Sequence, residues 1–186
     1  PDLIRIVDPN ARPVAGILNG RAAFITSPDF ENLSGRVTLQ LTNSDLINNP
    51  IIGTLYQSLA FQFGKTRPEG NGTIKIRAEG TGLKITSFYY FNRGVEIRGS
   101  AEIEDIRLGA ESPVRGLVMA TTRPLKGIEL PGIKELDRLM GTIQTGAAVV
   151  QLEGTLGNVR PKVVPLPEVS SAIRSLLWGQ LRGEDE

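Results

Sequence analysis

A strict period of two recurs along this chain and commits most of it to β-strands. From Arg36 to Thr42, Val37, Leu39 and Leu41 alternate with Arg36, Thr38, Gln40 and Thr42. Successive side chains of a strand point to opposite faces, so this pattern predicts one apolar and one polar face. It returns at Ile74, Ile76 and Ala78 against Lys75, Arg77 and Glu79. It returns again at Val95, Ile97, Ala101 and Ile103 against Glu96, Arg98, Ser100, Glu102 and Glu104. Between these runs, Leu83 and Ile85 lead into the aromatic block Phe88-Tyr89-Tyr90-Phe91, read as core or groove lining. Further strands are expected over 115–121, 146–154 and 159–164. Glu79-Gly80-Thr81-Gly82 and Asn92-Arg93-Gly94 suit tight hairpin turns, because glycine tolerates positive φ. Short strands joined by such turns predict an antiparallel meander.

Two segments change to a helical period. Ser44 suits an N-cap and Pro50 an early helical position, with Ile52, Leu55, Tyr56, Leu59 and Phe63 at i, i+3, i+4 spacing. Pro131 opens a second stripe of Ile133, Leu136, Leu139, Met140 and Ile143. A third candidate, Val169 to Leu181, carries Ile173, Leu176, Leu177 and Leu181 and runs into the acidic Glu184-Asp185-Glu186. Pro9 and Pro13 break the opening stretch, and Asn19-Gly20 reads as a turn. The expected division is an irregular segment over 1–19, a β-rich domain over 20–167, and a helix with an acidic tail over 168–186.

Composition removes several kinds of chemistry. The 186 residues contain no histidine and no cysteine, hence no His-based triad, thiol nucleophile or zinc-thiolate site. Lysine and arginine total 21 against 20 acids, which offers no reason to expect nucleic acid. Gly64-Lys65-Thr66 lacks the earlier glycine of a phosphate loop, since that position is Leu59. Glu102 and Glu104 lie two apart on one strand face, yet Glu96, Arg98 and Ser100 continue that face as a solvated polar stripe. We therefore expect no enzyme, no catalytic residue, no cofactor and no metal. No run of about 18 apolar residues could span a membrane as a helix. The chain opens at Pro1 without an initiator methionine or a signal-like segment, so a piece of a longer protein is expected, with any membrane anchor upstream.

The order of these elements resembles a known family. The carriers are the strand Leu33-Ser34-Gly35-Arg36-Val37-Thr38-Leu39, the capped segment Asn43-Ser44-Asp45-Leu46 leading into Ile51 to Leu59, and the strand from Gly94 to Ile103. Leu130-Pro131-Gly132-Ile133 and the closing stretch from Leu152 through Gly154-Thr155-Leu156 to Pro161-Lys162 complete the pattern. Over Gly20 to Pro167 the chain resembles the C-terminal region of the AsmA-like family of bacterial envelope proteins, related to TamB. The resemblance implies a long sheet curled into an apolar groove, serving phospholipid transport and outer-membrane assembly in the periplasm. It implies a tether to the inner membrane through a segment outside this chain, lipid or membrane as partner, and an envelope protein partner.

The combined expectation is a mainly β fold with helices (α+β): a curved antiparallel sheet with two or three amphipathic helices packed on its apolar face. Groove or core candidates are Val37, Leu39, Leu41, Ile74, Ile76, Leu83, Ile85, Val95, Ile97 and Ile103. Candidate covers are Ile52, Leu55, Leu59, Phe63, Ile133, Leu136 and Met140. The alternative is a structural or docking module whose core is fully packed and whose edge strand pairs with a protein partner.

Overall fold

The computed structural model describes residues 15–27, 31–46, 49–59, 69–92, 94–122, 147–165, 168 and 171–172. Eight strands follow one another in the order of the chain: β1 (Ala15–Ile25), β2 (Leu33–Asp45), β3 (Gly70–Gly80), β4 (Gly82–Asn92), β5 (Val95–Ile103), β6 (Val114–Thr121), β7 (Ala147–Thr155) and β8 (Asn158–Val163). Each pairs antiparallel with its sequence neighbour, giving an open, curved meander with β1 and β8 at its edges. An α-helix, α1 (Pro50–Ser58), sits in the β2–β3 connection, and a short 3-10 stretch, Ile106–Glu111, links β5 to β6. The β-dominant fold matches the sequence expectation. The tight β3–β4 and β4–β5 turns hold Gly80 at φ 61° and Gly94 at φ 97°, values that favour glycine.

Cross-strand register places the apolar side chains in rows that run across the whole sheet. One row reads Leu18, Leu41, Gly72, Tyr90, Ile97, Ala120 and Ala148. The next reads Gly20, Leu39, Ile74, Phe88, Gly99, Val118, Val150 and Val163. A bulge in β4 keeps these rows in phase. Lys75 faces Ser87 while Ile76 faces Ile85, so Thr86 is the extra residue, its hydroxyl donating to the Lys75 carbonyl at 3.3 Å. Ile85 and Phe88 thus share a face although they are three apart. The aromatic block divides: Phe88 and Tyr90 point with the apolar rows, Tyr89 and Phe91 to the other side.

α1 crosses one end of this face, over β6, β7 and β8. Ile52, Leu55 and Tyr56, at the helical spacing that brings side chains to one face, are buried against Ile97, Val118, Val150 and Leu152. Pro50 opens the helix as expected, but its cap is a different residue. Asn49, not Ser44, is the N-cap, its side-chain oxygen accepting from the backbone N–H of Ile51 (3.0 Å) and Ile52 (3.3 Å). Ser44 instead lies near the end of β2, buried, with its hydroxyl donating to the Gly70 carbonyl at 3.2 Å.

A second correction concerns the start of the sheet. Asn19 and Gly20 form no turn; they lie inside β1, opposite Gln40 and Leu39. Gly20 is there for close approach, because an added Cβ would collide with the Leu39 side chain and the Thr38 carbonyl. The expected boundary at residue 19 therefore cuts a strand. The helical stripe at 133–143 lies outside the described residues, as does the one at 169–181 apart from Ser171 and Ala172.

Candidate functional site

All ten groove candidates share one face of the sheet, but the face is not uniform. Val95 and Ile97 are fully buried and belong to the core cluster that Ile52, Leu55 and Tyr56 of α1 complete. Val37, Leu39, Leu41, Ile74, Ile76, Leu83, Ile85 and Ile103 are half-buried. Beyond them, on β1, Leu18 and Phe24 on the same face are each 48% exposed. The apolar rows thus pass from a packed core at β5–β7 to an open surface at β1. Among the helix-cover candidates, Ile52 and Leu55 are buried and Leu59 packs on the rim of the core. Phe63, Ile133, Leu136 and Met140 lie outside the described residues, as do Lys65 and Thr66.

A buried polar cluster closes one end of the packed half. The Tyr90 hydroxyl donates to the Ser44 carbonyl at 2.6 Å, and the Asn92 amide donates to the Tyr56 hydroxyl at 2.7 Å. These bonds tie β4 both to the end of β2 and to α1. Asn92 is 3% exposed, and its side-chain oxygen has no hydrogen-bond partner among the described residues. Sequence reasoning missed the cluster. Its signal was available: Asn92 follows Phe88 and Tyr90 in two-residue steps, a polar residue at an inward phase.

Burial pushes the Tyr56 phenol well above its usual range, with the Asn92 hydrogen bond pulling the other way. Burial also raises Tyr90, and Tyr89 together with the Glu96 charge. A raised folded-state pKa adds stability that is complete below the unfolded value of about 10 and is lost as pH rises through the folded one. Unfolding free energy is therefore expected to fall above about pH 10, and more gently in Tyr56→Phe. Urea midpoints measured across that range check this; equal slopes for the two proteins would contradict it.

The opposite face departs from the expected solvated stripe. Glu96 is 0% exposed, and its carboxylate accepts from Arg98 Nε at 2.6 Å. The Arg98 guanidinium lies 5.5 Å from the centre of the Tyr89 ring, its cross-strand neighbour. Thr121, Met119 and Val149 on this face are also fully buried. The sheet is therefore covered on both sides at β5–β7, and alternation reports which side a residue takes, not whether that side is wet. Further along, Glu102 and Glu104 are exposed, and Glu104 meets Arg115 at 3.3 Å.

Among the described residues, no group of three His, Cys, Asp or Glu side chains could hold a metal ion. A depression of about 230 Å³ lies at the β3–β4 turn, lined by Arg77, Glu79, Gly82, Leu83, Lys84 and Glu102. No described helix is long and apolar enough to cross a membrane. Fold and site together define an open antiparallel β-meander whose apolar face is half core and half surface. Comparison with family profiles, curated proteins and solved structures finds no match to this chain.

Proposed function

We propose that this chain is a non-catalytic module of a bacterial cell envelope that handles lipid along the open half of its apolar face. The observation that carries this reading is the gradient along the rows. Ile97 and Val150 are 0% exposed at one end of the face, while Leu18 and Phe24 are 48% exposed at the other. Acyl chains suit such a surface, since each buried methylene contributes about 0.8 kcal/mol. The side chains between, from Val37 to Ile103, offer no charge on that face to oppose them. The resemblance to the AsmA-like family points the same way and adds a periplasmic location, a tether to the inner membrane and an envelope partner. On this proposal α1 is the first of two or three covers, the stripes at 133–143 and 169–181 supplying the others.

The test uses the full chain. Native mass spectrometry of the purified protein is expected to reveal bound phospholipid, and the delipidated protein to take up a fluorescent phospholipid. Leu39→Glu, on the open half, is expected to abolish uptake, while Thr38→Glu on the opposite face of the same strand adds the same charge and preserves it. A lipid-free mass together with no uptake by the unmodified protein would overturn the proposal.

A further inference from the structure

The two apolar rows of the sheet hold no charged residue, either beside α1 or beyond it. What α1 packs against, from Tyr90 and Ile97 to Val118 and Val150, is therefore the same kind of surface as the half left open. The helix is nine residues long and contains no charged side chain, so no ion pair of its own fixes it to the sheet. The Thr54 and Ser58 hydroxyls donate back to the helix, to the carbonyls of Pro50 and Thr54, at 2.8 Å each. Its anchors are the apolar contacts of Ile52 and Leu55, together with Tyr56, whose hydroxyl accepts from the Asn92 amide.

That polar link is imperfect. The Asn92 side-chain oxygen is buried with no partner among the described residues. A buried polar atom without a hydrogen bond carries the full cost of its lost hydration, and water offsets that cost when the site opens. Lifting α1 exposes Ile52, Leu55 and the rows they touch, which opposes opening. It also hydrates Asn92, which favours opening. We propose that α1 is a movable cover: it undocks from β6, β7 and β8 as a unit while the sheet stays folded. Undocking extends the open apolar surface to the rows around Val118 and Val150. The occupant that takes the place of α1 is an acyl chain, which suits an uncharged surface of this kind. That last step rests on the lipid reading above, whereas the undocking itself does not.

Hydrogen exchange on the full chain reads the undocking directly. A nine-residue helix is marginal by itself, so the α1 amides are protected only while α1 is docked. They are expected to exchange about tenfold faster, or more, than the amides of β5–β7. The paired substitution Asn92→Leu with Tyr56→Phe removes the unpartnered oxygen and the hydroxyl linked to its amide. It is expected to slow α1 exchange about tenfold and to reduce uptake of a fluorescent phospholipid. Leu55→Ala is expected to act the other way, speeding α1 exchange about tenfold or more. Circular dichroism and urea titration verify that the variants fold. Added phospholipid is expected to speed α1 exchange while β5–β7 stay protected. Exchange of α1 no faster than that of β5–β7 would overturn the proposal, since the helix would then leave only when the sheet unfolds. So would a folded paired variant whose α1 exchanges as fast as before, or a lipid-bound protein whose α1 is no less protected. With no lipid uptake at all, the lipid reading falls alone, and fast α1 exchange slowed by the paired substitution still supports undocking.

Discussion

Replacing Leu55 by alanine is expected to lower the free energy of unfolding by about 3 kcal/mol, within the range for truncating a buried leucine. Leu55 is 0% exposed and stands at the centre of the α1–sheet contact, among Ile97, Val118, Val150 and Leu152. Its loss removes apolar contact from the helix and the strands together, in a region where neighbouring side chains are already closely packed. The informative control is Leu39→Ala, the same chemical change on the same face but at a half-buried position, expected to cost about 1 kcal/mol or less. Urea titration reads both through the midpoint, with an unchanged slope if the transition stays two-state. Equal losses at the two positions would mean that the face is packed evenly from end to end, contrary to its division into core and surface.

Arg98→Met is expected to cost about 3 kcal/mol, because it takes a charged partner from a buried carboxylate. Glu96 is 0% exposed while Arg98 is 27% exposed, so the carboxylate is the group that water cannot reach. Removing the charge from both sides should be milder than removing it from one. The double variant Glu96→Gln with Arg98→Met is therefore expected to be more stable than Arg98→Met alone. The methionine keeps much of the aliphatic stem of Arg98 over the Tyr89 ring, which limits the packing change. A single Arg98→Met variant within about 0.5 kcal/mol of the unmodified protein would show that the pair is screened by solvent.

Much of the sheet was legible because its strands are strongly alternating and their turns carry glycine. β2, β3 and β5 were anticipated from period two alone, and the facing of their side chains is as expected. β1 escaped for a physical reason. Asn19 and Gly20 read as turn residues, yet Gly20 lies against Leu39 and the Thr38 carbonyl, a contact between residues far apart in the chain. The cap of α1 was misassigned for a related reason. Ser44 and Asn49 are both good caps, and contacts with Gly70 and Tyr90, distant in sequence, hold Ser44 in the sheet. The burial of Glu96 could not be read from its strand, because what covers the second face of a sheet is set by other segments. The division of the apolar face into core and surface has the same origin: Ile97 and Ile74 are alike in pattern, and the position of α1 distinguishes them.

Because, among the described residues, every strand pairs only with its neighbours in sequence, the sheet can assemble by successive closure of adjacent hairpins. The two longer closures are the connection that carries α1, between Asp45 and Gly70, and the one between Thr121 and Ala147. Loop-closure entropy grows slowly with length, so these steps are costlier than the tight turns without being prohibitive. The same wiring makes the architecture extensible. A hairpin added at either edge would lengthen the sheet without rerouting a single existing connection, and one removed would leave the remaining pairings intact. The span of such a protein is therefore free to vary by whole hairpins while its cross-section stays constant.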